Sequence, residues 1–121
     1  MDAKKAQAVF TALAQPTRLK AFRKLIAAHP DGLSAGAIAQ ACKVPHNTMS
    51  THLAALARAG LIGAERAGRN VNYRADIASF HALIAFLTGD CCNGRPEICA
   101  PLIGDLAAAC CPPAVKESVN G

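Results

Sequence analysis

Apolar side chains in this chain follow two periods, and the switch between them restricts the fold more than any other feature. From Ala6 to Leu56 they recur every three or four residues, as on one face of a helix. From Leu61 to Arg74 they alternate, and beyond Asp76 the helical spacing returns. A stretch patterned for a helix does not settle as a strand, nor the reverse. The chain is therefore expected to be mainly α, with one short β element set between helices.

Turn and cap residues divide the pattern further. Ala6, Val9, Phe10 and Leu13 form the stripe of a first helix between Asp2 and Ala14, with Asp2 as its cap. Pro16 suits the first turn of a second helix. That helix carries Leu19, Phe22, Leu25 and Ile26 inward and ends at His29-Pro30-Asp31-Gly32. Ser34 caps a short third helix that turns Ile38, Ala41 and Cys42 inward. After Lys43-Val44-Pro45 a fourth helix starts near His46, buries Met49, Leu53 and Leu56, and stops at Gly60. The alternating stretch then reads as a two-stranded hairpin turned by Gly68-Arg69-Asn70. Asp76 caps a fifth helix with Ile77, Phe80, Leu83, Ile84 and Leu87 inward, closed by Gly89. Ser118 to Gly121 are expected to fray.

Two short helices followed by a two-stranded β-hairpin give the order of a winged helix-turn-helix, whose second helix enters the major groove. With Met49, Leu53 and Leu56 inward, the fourth helix turns His46, Asn47, Thr48, Ser50 and Thr51 outward. His52, one turn-step from Met49, has either face open to it. These are short hydrogen-bonding side chains suited to base edges and phosphate oxygens. Arg18 and Lys20 on the second helix, with Arg66, Arg69 and Arg74 on the hairpin, suit phosphates or the minor groove. A polar helix face alone usually means contact with water, and hairpin arginines alone are ordinary surface charge. Their joint order is what points to double-stranded DNA. Tyr73 and Phe80 read as core, and His29 and His81 as helix-surface residues.

Composition agrees. In 121 residues the apolar share is 52% and the charged share 17%, so one modest core forms and some apolar surface is left for a second copy. The net charge of +5, doubled in a homodimer, favours a polyanionic partner. No apolar run approaches the roughly 20 residues of a membrane span. The start, Met1 to Lys5, leads into an amphipathic pattern and not a secretory signal. A cytoplasmic, reducing location follows, in which cysteines are thiols or metal ligands.

Leu13-Ala14-Gln15-Pro16-Thr17-Arg18-Leu19 resembles the junction of the first two helices in the ArsR/SmtB family of metal-responsive repressors. Asn47-Thr48-Met49-Ser50-Thr51-His52-Leu53, with Leu56 and Ala59-Gly60-Leu61-Ile62, is similar to that family's recognition helix and its exit. Gly68-Arg69-Asn70-Val71-Asn72-Tyr73 resembles its wing. The resemblance covers about residues 5 to 88. It implies a homodimeric winged-helix repressor, joined mostly through its first and fifth helices, that releases operator DNA when an inducer binds. Residues 1–90 would then be the DNA-binding and dimerisation domain, and residues 91–121 an inducer-binding segment.

Five of the six cysteines lie in that last segment. Family members that sense arsenic at the recognition region carry Cys-x-Cys there; this chain has only Cys42, which reads as a small buried apolar residue. Cys91, Cys92 and Cys99 offer another site. Gly94 and Pro96 allow a turn that returns Cys99 towards the adjacent pair. Three thiolates match As(III) or Sb(III), which have three bonding positions and a lone pair. A closed Zn²⁺ site takes four ligands and would have to borrow Cys110, Cys111 or a residue of a second copy. The trio is similar to a C-terminal Cys-Cys…Cys inducer site in a subset of arsenic-responsive members. Cys110 and Cys111 have three roles open to them: a second capture site, auxiliary ligands, or none. The same repressor tuned to methylarsenite, which needs only two thiols, or to Cd²⁺, Pb²⁺ or Zn²⁺ is the alternative. A thiol metal carrier would show no steep salt dependence on DNA. A thiol oxidoreductase or arsenate reductase would need Cys-x-x-Cys or Cys-x5-Arg, and the chain has neither. No enzyme activity, catalytic cofactor or membrane contact is expected.

Overall fold

The computed structural model describes residues 1–89 and, beyond them, Arg95, Glu97, Ala100, Pro101, Gly104, Asp105, Leu106 and Ala109. The chain divides into two compact units, Met1–Phe86 and Leu87–Gly121. In order, the elements are α1 (Ala3–Leu13), α2 (Pro16–Ala27), β1 (Leu33–Ser34), α3 (Ala35–Cys42), α4 (His46–Arg58), β2 (Ile62–Ala67), β3 (Asn70–Ala75) and α5 (Ile77–Thr88). No helix among the described residues is long and apolar enough to cross a membrane.

Caps set most of the helix starts. A first-turn N–H has no partner inside its own helix, and three expected side chains supply one. Asp2 accepts from Lys5 N–H at 2.8 Å, Ser34 from Ala37 N–H at 3.1 Å, and Asp76 from Ser79 N–H at 3.0 Å. For α2 the cap is Gln15, whose Oε1 accepts from Arg18 N–H at 2.9 Å, with Pro16 in the first turn. At the far end of α4, Gly60 takes φ +83°. Its N–H reaches the Ala57 carbonyl at 3.0 Å, and Leu61 N–H reaches that of Leu56 at 3.1 Å. That bond pair is the Schellman stop. Lys43 closes α3 the same way at φ 58°, an unusual conformation for a residue with a Cβ.

The core is assembled where the helices cross. Leu25, Ile38, Met49, Leu53, Leu56 and Leu61 have no exposed surface, and Phe22, Ile62, Ala75 and Leu83 close around them. Truncating one such leucine to alanine removes about 2–5 kcal/mol. Phe22 and Phe80 approach at 6.0 Å between ring centroids, a tilted contact that seats α5 against α2.

The inward stripes differ from expectation at their edges. Phe10 (46% exposed), Leu19 (45%), Ile84 (37%) and Leu87 (49%) face outward. α1 buries Ala6, Val9 and Ala12 instead, and α2 buries Ala21, Phe22 and Leu25. An apolar stripe wider than the groove it meets leaves one margin uncovered. In α3 Ala39 is buried and Ala41 is exposed, because Ile38, Ala39 and Cys42 share one helical face.

The hairpin is present and has a third member. The sheet is antiparallel in the order β1-β3-β2, with Leu33 opposite Tyr73 and Ser34 opposite Asn72. Two residues are too few to show a period, so β1 left no pattern to read. β2 and β3 pair from Ile62↔Ala75 to Ala67↔Asn70, which narrows the turn to Gly68 and Arg69. Asn72 Nδ2 donates to the Asp31 carbonyl at 2.7 Å and ties the sheet to the turn before β1.

Gly32 and Gly60 both hold positive φ, but their surroundings differ. A Cβ on Gly32 would collide with the Tyr73 carbonyl and sit 2.8 Å from Arg74 Cγ, whereas one on Gly60 would meet nothing within 4 Å. Gly60→Ala should therefore cost only the left-handed backbone term, about 1 kcal/mol, and Gly32→Ala about 3 kcal/mol or more. Urea denaturation of the two variants checks the order, and equal losses would contradict the close approach at Gly32.

Candidate nucleic-acid interface

Burial of Met49, Leu53 and Leu56 sets the rotation of α4 about its axis. His46, Asn47, Thr48, Ser50 and Thr51 are consequently all exposed, and His52 is half-buried at the border. The start of this helix is left open. Pro45 stands at the cap position and has no side-chain bond to offer. Asn47 Oδ1 takes up Thr48 N–H at 2.9 Å, and no described residue accepts from the backbone N–H of His46 or Asn47. Free N–H groups and the positive end of the helix dipole make this terminus favourable for a phosphate. Thr51 Oγ1 leans back on the Asn47 carbonyl at 3.4 Å, while Ser50 keeps its hydroxyl unengaged by described residues.

The wing lies beside this helix. Ser34, His46, Ser50, Arg69 and Asn70 line one cleft between the start of α3, the first half of α4 and the wing tip. Arg69 and Arg66 are exposed and, among the described residues, have no acidic partner. Arg74 differs: it forms an ion pair with Glu65 across the two strands. Its charge is shared with Glu65, unlike the free cation expected from its place on the hairpin. Sequence reading missed Ser34 and Asn70 as part of the cleft. Ser34 was legible only as a cap, and Asn70 only as a turn residue.

Arg18 and His52 meet each other. Arg18 Nε donates to His52 Nδ1 at 3.2 Å, joining the first turn of α2 to the second turn of α4. Arg18 also lines a shallow crevice with Thr11 and Arg58 where α1 meets α4. Cys42 is buried in the core as expected. The proposed thiol ligands Cys91, Cys92 and Cys99, and the pair Cys110 and Cys111, lie outside the described residues.

Comparisons with known proteins agree with this arrangement. Residues 13–62 match the family model described as a helix-turn-helix domain. No curated protein sequence matches the chain. Among solved structures, an ArsR-like transcriptional regulator from Rhodococcus sp. RHA1 is 27% identical over 88% of this chain and 90% of its own, with TM-score 0.62. A possible transcriptional regulatory protein from Mycobacterium bovis (fragment 1–100) is 31% identical over 70% of this chain and 91% of its own, with TM-score 0.55. In a solution structure, the corresponding Mycobacterium bovis fragment is described as a homodimeric winged helix-turn-helix DNA-binding domain of a possible ArsR-family regulator. It is 29% identical over 76% of this chain and 85% of its own, with TM-score 0.56. With the helix order, the three-stranded wing sheet and these relatives in agreement, the chain belongs to the ArsR family of winged helix-turn-helix transcriptional regulators.

Proposed function

We propose that two copies of this chain bind operator DNA as a repressor and release it when As(III) or Sb(III) is captured by Cys91, Cys92 and Cys99. The observation that carries the DNA reading is the cleft that joins His46 and Ser50 of α4 to Arg69 of the wing. It puts hydrogen-bonding side chains for base edges next to a cation that has no acidic partner among the described residues and is suited to the backbone. The α4 face carries no arginine or lysine before Arg58. Recognition through it therefore depends on short polar groups approaching closely, and the charge comes mainly from the wing and the helix end.

A homodimer is supported by two observations. The Mycobacterium bovis relative is homodimeric, and Phe10 of α1 and Ile84, Phe86 and Leu87 of α5 are exposed in a single chain. Apolar area of that kind favours association, and a two-fold dimer matches half-sites about one helical turn apart.

The inducer reading rests on the thiols in sequence. Cys91 and Cys92 follow closely on α5, which ends at Thr88. Trivalent arsenic exchanges hydroxyls for soft sulfur, and three cysteines complete its bonding. The ion can release DNA only through unequal affinity for the DNA-competent and DNA-incompetent states. Moving the population from almost fully bound to almost fully free takes about 5.5 kcal/mol of difference. Several metalloid–sulfur bonds are strong enough to supply it.

Three outcomes are expected. Thr48→Ala or Ser50→Ala weakens operator binding by about 1–3 kcal/mol, and Arg69→Ala flattens the salt dependence by about one unit of slope. Arg74→Ala changes the slope less than Arg69→Ala, because Glu65 already neutralises it. Unchanged DNA affinity in all of these folded variants would sink the DNA reading. Sedimentation should show a dimer at micromolar concentration, and a stable monomer with and without DNA would contradict the pairing of α1 and α5. Serine at Cys91, Cys92 or Cys99 should leave DNA binding intact and blunt release by arsenite, while serine at Cys42 leaves release unchanged. Parallel titration with arsenite, antimonite, methylarsenite, Cd²⁺, Pb²⁺ and Zn²⁺ identifies the inducer. Normal arsenite release in all three serine variants would place the site elsewhere.

A further inference from the structure

We propose that Arg18 acts on operator DNA through His52, as a positioning residue that makes the imidazole a fixed Nε2–H donor to an acceptor on the duplex. This inference rests on the DNA-binding reading above and adds the role of one pair to it.

The hydrogen-bond chemistry allows one arrangement. A guanidinium has five N–H donors and no acceptor. With Arg18 Nε 3.2 Å from His52 Nδ1, the lone pair must be on Nδ1 and the ring proton on Nε2. The bond at one ring nitrogen decides what the other can do. No described residue accepts from Nε2, and the ring is only half-buried. An N–H donor is therefore left without a protein partner on the recognition helix, one turn beyond Thr48.

Arg18 is well placed to hold it there. Its own N–H is held by Gln15 Oε1 at 2.9 Å, Leu19 N–H bonds the Gln15 carbonyl at 3.0 Å, and Pro16 stiffens the same turn. Without a partner at Nδ1, a histidine ring has broad freedom about χ2 and both tautomers open to it. With one, the ring meets DNA in a single orientation and tautomer, and less entropy is lost on binding. A neutral imidazole neutralises no phosphate, so the contact contributes affinity without adding to the counterion term. The acceptor is a phosphate oxygen or a guanine N7 or O6, which ask for the same donor.

The test uses the intact chain and four proteins: parent, Arg18→Met, His52→Ala and the double variant, each checked for folding by circular dichroism. Long-range ¹H–¹⁵N spectra of the free parent should show His52 protonated at Nε2 only, and Arg18→Met should show exchange between tautomers. Each single variant should weaken operator binding roughly tenfold, and the double variant also roughly tenfold, not a hundredfold, because one contact is lost in all three. The salt slope should stay within a fraction of a unit of the parent. Loss on operator and unrelated duplex alike identifies a phosphate acceptor, and loss on operator alone a base edge; either supports the proposal. A slope reduced by about one in Arg18→Met would make Arg18 itself a phosphate contact and overturn it. Additive losses, or full affinity in His52→Ala, would do the same. Thr48→Ala and Arg69→Ala report separately on the DNA reading and should weaken binding whichever way Arg18 acts.

Discussion

Met49, Leu53 and Leu56 have no exposed surface, and their burial on one side of α4 is the constraint on which the rest of the molecule depends. A helix has one free rotation about its axis, and these three side chains remove it. The exposed positions are then whatever remains: His46, Asn47, Thr48, Ser50 and Thr51 outward, His52 at the margin. The same packing presents the open N-terminus of α4 beside the wing and lets Arg18 reach His52. Core and interface are two faces of one helix, so a substitution that loosens the first blurs the second.

Charge is distributed to match. Positive charge is concentrated on the wing tip and at the uncapped helix start, while the recognition face holds amides, hydroxyls and imidazoles. In the proposed function the first kind of group would supply affinity for any duplex and the second discrimination between sequences. Glu65 engages Arg74 and leaves Arg66 and Arg69 as the hairpin arginines without an acidic partner among the described residues.

Much of this was legible in the sequence because it depends on local signals. The caps Asp2, Ser34 and Asp76, the Gly60 stop and the stripe of α4 each follow from residues within one or two turns of one another. The outward polar set came with them, as the complement of the buried stripe. What escaped depends on distant pairings. β1 exists only because Tyr73 and Asn72 lie opposite it. Arg74 was legible as a free cation until strand register brought it to Glu65. His52 could not be assigned a face without its partner 34 positions away in the chain. Phe10, Leu19, Ile84 and Leu87 were read as inward because an apolar stripe does not reveal which surface covers it. The thiol trio remains a reading of residue chemistry and spacing.

Asp76 has a second part besides capping α5. Its N–H donates to the Leu61 carbonyl at 2.8 Å, and Leu61 N–H is bonded to Leu56 at the end of α4. The end of the recognition helix and the start of the fifth helix therefore share one joint, although the whole hairpin separates them in sequence. A lever mounted on such a joint has a short arm. That joint continues the β2–β3 ladder one pair beyond Ile62↔Ala75, so the start of α5, the base of the hairpin and the end of α4 meet within two hydrogen bonds.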